Sequence, residues 1–133
     1  MNEQKQPGIK FYGIFIIEES FSRKPNVPLD AEEDLEMSSE LSVQGKDATV
    51  MVETIFKLEH NDEEVFRLQC KHIGKFSVDT DNENMELQTF IENNSVAIMF
   101  PYIREHITSV TQKAGIQPIV LPPINIRALL NNK

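Results

Sequence analysis

The spacing of apolar residues changes once along the chain, near residue 79, and this change constrains the fold more than any other feature. Before it, β-branched and aromatic residues alternate with polar ones in segments bounded by turn residues, which is typical of β-strands. After it, apolar residues recur at the spacing of one helix face. Strands followed by helices predict an α+β domain, with helices on one face of an antiparallel sheet.

Four strands are predicted, over residues 9–17, around 35–43, over 48–58 and over 64–78. Short connections between them predict that they are antiparallel neighbours. A short acidic helix before the second strand stays open, and Gly74 is a candidate for a β-bulge in the fourth.

Prolines interrupt the chain between the first two strands and within the helical half. Pro25 and Pro28 predict a loop or extended connector over residues 21–28, because proline fixes φ and donates no hydrogen bond. Pro101 either kinks the main helix, predicted to end before Gly115, or begins a separate one. A second, short helix is predicted over residues 126–130.

Composition narrows the class of protein. The chain has 133 residues, the size of one domain, and we expect residues 1–8 to be flexible. Its net charge of -8 disfavours a nucleic-acid partner, since such a field repels phosphates. Cys70 is the only cysteine, which favours a reducing compartment. We find neither a signal peptide in the polar first ten residues nor a membrane-length apolar run, so we expect a cytoplasmic protein.

No catalytic constellation is visible in the sequence. The five glycines are scattered, so no phosphate-binding loop is predicted. His60, His72 and His106 lie in separate segments without metal-ligand spacing. Cys70 lies in an alternating strand, where a packed thiol is expected more than a nucleophile. We therefore predict a protein that is not an enzyme and binds neither cofactor nor metal.

Three motifs are more specific, and they occur in the order Pro25-Asn26-Val27-Pro28, Phe100-Pro101-Tyr102-Ile103-Arg104-Glu105 and Leu121-Pro122-Pro123-Ile124-Asn125. Together they resemble the SecB protein-export chaperone family, most strongly over residues 94–130. The resemblance implies one domain over residues 1–133, with a four-stranded antiparallel sheet and two helices packed on one face. It also implies a chaperone that holds unfolded polypeptides without ATP.

The resemblance implies two sets of contact residues. A client-binding groove would use the alternating residues of the second strand, Leu35, Met37, Leu41 and Val43, although the same residues could form ordinary core or a dimer interface. A homotetramer, built as a dimer of dimers, would use the main helix between its dimers, through Ile103, Ile107 and Val110.

A third implied contact is with the preprotein translocase motor ATPase, through acids of the sheet. Glu18, Glu19 and Glu64 are the candidates, while three positions that matter in the family carry Arg23, Arg67 and Gln69. Export is therefore one hypothesis, and a chaperone dedicated to one client, such as an antitoxin, is the second. A small ligand-binding domain on the same fold is the third.

Overall fold

The computed structural model describes residues 9–78 and 84–122 of the chain. Four strands, β1 (Ile9–Arg23), β2 (Glu32–Gln44), β3 (Asp47–His60) and β4 (Glu63–Val78), precede one helix, α1 (Asn84–Lys113). The α+β class and the four-stranded antiparallel sheet are confirmed. The second predicted helix, over 126–130, lies outside the described residues, as do residues 1–8.

The strand order in the sheet is β1-β4-β3-β2. The short turns make β2, β3 and β4 neighbours as predicted, but β1 pairs with β4, so its expected adjacency to β2 is wrong. The reason is the eight-residue proline-containing link between Arg23 and Glu32, which is long enough to cross the end of the sheet. Consequently β1 and β2 lie on opposite edges.

Strand β1 is longer than predicted, and it contains irregularities of register, whereas the sequence had suggested a bulge in β4. It continues through residues 18–23, part of which was assigned to the loop. Register shifts fall between Phe11 and Gly13 and between Ile16 and Glu18. The register of β4 is regular at Gly74, so the bulge considered there is absent. Strand β2 begins at Glu32, which leaves no place for the short acidic helix.

The core lies between α1 and one face of the sheet. Strand β3 alternates strictly, with every second side chain from Ala48 to Leu58 buried. The helix contributes the buried side chains Ile91, Met99, Ile103 and Ile107 at four- to eight-residue spacing. Fully burying such a side chain contributes about 1.5–3 kcal/mol, so this contact makes a large contribution to the domain's stability.

Pro101 lies inside one continuous helix, so a separate helix beginning there is wrong. The proline is exposed, and the carbonyl that loses its partner belongs to the exposed Ala97, where water can replace the lost hydrogen bond.

Within residues 9–78 and 84–122, no helix has the length and hydropathy needed to cross a membrane.

Candidate functional site

An open groove of about 670 Å³ lies at one end of the sheet. Its walls are the crossover segment, residues 24–31 between β1 and β2, and the post-helix segment, residues 114–120 after α1. Arg23 of β1, Glu33 of β2 and Leu58 of β3 complete the lining. Neither wall is helix or strand, so its shape depends on how each segment is anchored.

The crossover segment is anchored to β4. The Lys24 N–H donates to the carbonyl oxygen of Val65 at 2.9 Å, and the Lys24 ammonium lies 3.4 Å from the Glu63 carboxylate. Further along, the Ala31 N–H donates to the Pro28 carbonyl at 3.2 Å. Because prolines at 25 and 28 donate no backbone hydrogen bond, the segment crosses the strand ends without joining the sheet.

The post-helix segment begins with the predicted glycine cap. Gly115 has φ +80, and its N–H donates to the Gln112 carbonyl, while the Ile116 N–H donates to the Thr111 carbonyl. These two bonds form a Schellman motif, which requires a residue in the left-handed region. The prediction that α1 ends before Gly115 is confirmed, and the motif turns the chain back along the helix.

Two threonines of α1 then fix the returning chain. The Thr108 hydroxyl donates to the Ile119 carbonyl at 2.5 Å, and the Ile119 N–H donates to the Thr111 hydroxyl at 3.0 Å. Both backbone groups of Ile119 are therefore satisfied by the helix. Val120 follows directly and is left projecting, with 75% of its surface exposed.

Both walls contribute apolar side chains to the lining of the groove. Leu29 on one wall is 86% exposed, and Val120 on the other wall is also exposed. Val27, Ile116 and Ile119 also line the groove and are partly buried against the core. Exposed apolar side chains around a concavity are a common feature of binding sites. The groove is suited to apolar side chains of a partner.

The predicted groove residues Leu35, Met37, Leu41 and Val43 lie on the helix-facing side of β2. Met37 is only 4% exposed, and the other three are partly buried against the core. They continue the row begun by Glu33, at two-residue spacing, but none of the four lines the groove itself. The lining residues come from the two loops whose prolines and Gly115 the sequence marks as unusual.

Cys70 and His72 are buried on the helix-facing side of the sheet, and an ion pair between His106 of α1 and Glu19 of β1 lies near them. The His106 Nε2 is 2.9 Å from the Glu19 carboxylate, and the Cys70 Sγ is 3.9 Å from His72 Nδ1. Burial, with a smaller contribution from the Glu19 charge, raises the pKa of the Cys70 thiol to about 12. A thiol with so high a pKa is a poor nucleophile, which agrees with a packed cysteine.

His72 makes the stability of the fold depend on pH. Burial, reinforced by His106 and opposed by Glu19, lowers the pKa of His72 from 6.5 to about 4. Between these values the unfolded chain binds a proton at this residue and the folded chain does not. The contribution of neutral His72 to the free energy of unfolding is therefore fully present above pH 6.5. It is lost as the pH falls toward 4, and the loss reaches up to about 3 kcal/mol.

Urea unfolding at several pH values checks this expectation. His72→Gln removes the titrating group, so the pH dependence of the unfolding free energy should flatten between pH 6.5 and 4. His60→Gln, at a partly exposed histidine that ends β3, is the matched control and should keep the wild-type slope. Parallel profiles for wild type and His72→Gln would contradict the assignment.

A model of the family described as preprotein translocase subunit SecB matches residues 2–133. The chain belongs to the SecB family. The protein-export protein SecB of Azoarcus sp. (strain BH72) is 30% identical over 138 residues, covering 97% of this chain and 89% of the relative. That of Roseobacter denitrificans is 25% identical, covering 98% and 84%. An uncharacterized protein of Methanocaldococcus jannaschii is 47% identical over 47 residues, and the match spans 30% of it.

Solved structures show the same fold. A Mycobacterium tuberculosis SecB-like chaperone, in complex with a ChAD peptide from the HigA1 antitoxin, superposes with a TM-score of 0.76 at 15% identity, covering 88% of this chain and 91% of that one. A Streptococcus agalactiae protein of unknown function gives 0.52 at 14% identity, covering 89% and 99%. At such identities the likeness concerns the fold.

The three predicted SecB-type docking acids each have a partner within the chain. Glu18 lies 3.3 Å from Lys71, Glu64 lies 3.2 Å from Arg67, and Glu19 contacts His106 of α1. Glu18 and Glu19 point to opposite faces of β1, as successive strand residues do. The structure therefore does not assemble these three acids into one patch.

The predicted SecB interface residues of α1 face inward. Ile103, Ile107 and Val110 are at most 5% exposed and belong to the core of the protomer. The outer face of the helix instead presents Tyr102 and Glu105. An interface between dimers formed by α1 stays a prediction, and these outward residues are the ones that could form it.

Proposed function

We propose that this SecB-family protein holds unfolded polypeptides without ATP and without catalysis, and that the groove is where a client segment binds. The observation that carries the proposal is the pair of exposed apolar side chains, Leu29 and Val120, which line the groove from its two loop walls. An open concavity of this kind accepts an extended chain at any point along its length. An enclosed pocket, which a small ligand would favour, is a poorer description of it.

Strand β2 extends the proposed site. Within the described residues it hydrogen-bonds only to β3, so its other edge has backbone donors and acceptors for an added strand. Glu33 near its start, and Ala31 just before it, line the groove. A client could thus place apolar side chains in the groove and continue along β2 by backbone pairing, which recognises chain conformation more than sequence.

Assembly into a tetramer is proposed on the family resemblance and on strand β1. This edge strand exposes Tyr12, Phe15, Ile17 and Phe21, each about half accessible in the single chain. Long apolar edges are usually covered, and two copies of β1 could pair across a twofold axis. Light scattering should give four times the 15.3 kDa chain mass; a monomer at micromolar concentration would overturn this part.

Two client relationships are possible for such a chaperone. The first is a role in protein export, in which the chaperone holds clients in the cytoplasm. The export role is supported by the names of the relatives, which are protein-export proteins. A dedicated client, such as an antitoxin, is supported by the internal pairing of Glu18, Glu19 and Glu64, which leaves less free negative charge for a motor ATPase. The solved SecB-like chaperone with an antitoxin peptide is the fold precedent.

Aggregation of a chemically denatured client tests the holding function. We expect a stoichiometric amount of the protein to suppress light scattering of diluted, denatured client in a nucleotide-free buffer. Unchanged aggregation would refute the proposal. Binding to the purified motor ATPase at low salt then separates the two relationships, because a dedicated chaperone should bind its own client and not the motor.

A further inference from the structure

We infer that Arg23 is the positioning residue of the groove: its guanidinium joins the two walls and sets the gap between them. The effect of Arg23 on client binding rests on the proposed function, because it assumes that clients bind in the groove. The contact that Arg23 makes between the two walls does not depend on any client. The side chain lines the groove at the point where β1 ends and the crossover segment begins.

Three nitrogen atoms of Arg23 donate to three main-chain carbonyls. Nη1 donates to Ala114 at 2.6 Å, Nη2 donates to Pro25 at 2.9 Å, and Nε donates to Lys24 at 2.9 Å. Two of these carbonyls belong to the crossover segment and one to the post-helix segment. In the described part of the chain, Arg23 is the only side chain hydrogen-bonded to both walls.

Without this contact the walls would be attached to different parts of the fold. The crossover segment is tied to β4 by Lys24, and the post-helix segment is tied to α1 by Thr108 and Thr111. Each wall could then move with its own anchor. The bond from Arg23 to Ala114, across 91 residues of sequence, makes the two walls a single unit.

The chemistry favours arginine at this position. A guanidinium presents several donors in a fixed plane, so one side chain can satisfy three acceptors that diverge. Ala114 also lies at the C-terminal end of α1, where the free carbonyls carry partial negative charge and attract a cation. Nη1 lies 3.6 Å from where a Cβ on Gly115 would be, so the guanidinium packs closely against the cap.

Held walls lower the cost of binding. A client that finds the groove already shaped need not order two loops, and ordering flexible segments is a recurrent cost of association. Loss of the contact should therefore leave the sheet and helix folded but raise both the mobility of the walls and the dissociation constant for an extended client.

Hydrogen exchange tests the contact itself, without any client. Arg23→Met keeps the apolar stem and removes all three donors, so amides in residues 24–31 and 114–120 should exchange about tenfold faster while those of β3 do not change. Arg23→Lys keeps the charge but not the planar fork, and should also exchange faster. Exchange at wild-type rates in both variants would overturn the inference. Wild-type exchange rates in Arg23→Lys alone would show that a positive charge at the end of α1 is sufficient and that the planar set of donors is not needed.

Arg67→Met is the matched control, because Arg67 pairs with Glu64 on the outer face of the sheet and does not line the groove. Affinity is then measured with fluorescent lysozyme that has been reduced and carboxamidomethylated to keep it unfolded. We expect the dissociation constant to rise about tenfold in Arg23→Met, and less than twofold in Arg67→Met. A tenfold rise corresponds to about 1.4 kcal/mol.

The possible failures are distinguishable. If wild type binds the unfolded lysozyme and Arg23→Met binds it equally well, the positioning role is overturned and the proposed function stands. If wild type does not bind the unfolded lysozyme but the two walls still exchange faster in Arg23→Met, the proposed function fails and the structural role of Arg23 is supported.

Discussion

Replacing Leu29 and Val120 together by serine is expected to weaken binding of unfolded client at least about 30-fold. Each apolar side chain contributes roughly 1.5–3 kcal/mol when a partner buries it completely, and a tenfold change corresponds to about 1.4 kcal/mol. Both residues are almost fully exposed in the free protein, at 86% and 75%, so the substitutions remove little from the folded core. Affinity should fall while the unfolding transition stays near that of wild type.

Two controls make this result specific. Leu29→Met with Val120→Ile keeps the apolar character of both walls and should retain binding within about threefold. Met51→Ser removes an apolar side chain from the outer face of the sheet, away from the groove, and should leave client affinity unchanged. If Met51→Ser weakens binding as much as the groove variant does, the client site lies on the other face of the sheet.

Replacing Gly74 by valine is expected to destabilise the fold by about 1–3 kcal/mol. A Cβ built at this position would lie 2.6 Å from Met99 Sδ, which is closer than atoms in a folded protein tolerate. Met99 of α1 is fully buried, and the atoms nearest the added Cβ belong to its side chain, so that side chain must shift within the core. Overpacking of this kind costs about 1–3 kcal/mol, and the branched valine adds further crowding.

A double-mutant cycle separates packing from backbone effects. Met99→Ala opens space opposite position 74, so the pair Gly74→Val and Met99→Ala should be less destabilised than the sum of the single variants. Gly13→Val is a matched control in β1, because a Cβ at Gly13 meets nothing within 4 Å. Additive losses in the cycle would show that Gly74 is required by its backbone and not by Met99.

The strands, the helix and the family could be predicted from the sequence because each is indicated by a short pattern of adjacent residues. Apolar patterning identified β3 as a strand, and Gly115 marked the end of α1, as its φ of +80 confirms. The motifs around Pro25 and Pro101 indicated a SecB-like chain, which the family match confirms. Each signal is local, because periodicity and capping are properties of a few adjacent residues.

Pairing across the sheet could not be predicted in the same way. The sequence indicates that β1 is a strand, but its partner β4 begins 40 residues after β1 ends. Apolar periodicity in α1 likewise identifies the face that holds Ile103 and Ile107, yet it does not say whether that face meets its own sheet or another protomer. Packing within the chain decided it, since those side chains are buried in the core.

Taken alone, the change of periodicity near residue 79 determined the class of fold, and the proline- and glycine-rich segments marked both loops as unusual. Only the tertiary structure brought those loops together as the walls of one groove. The physical reason is that β1 and β2 occupy opposite edges, so the crossover segment must pass the end of the sheet where α1 also ends. That arrangement places Arg23 within hydrogen-bonding distance of Ala114, a contact between residues 91 positions apart.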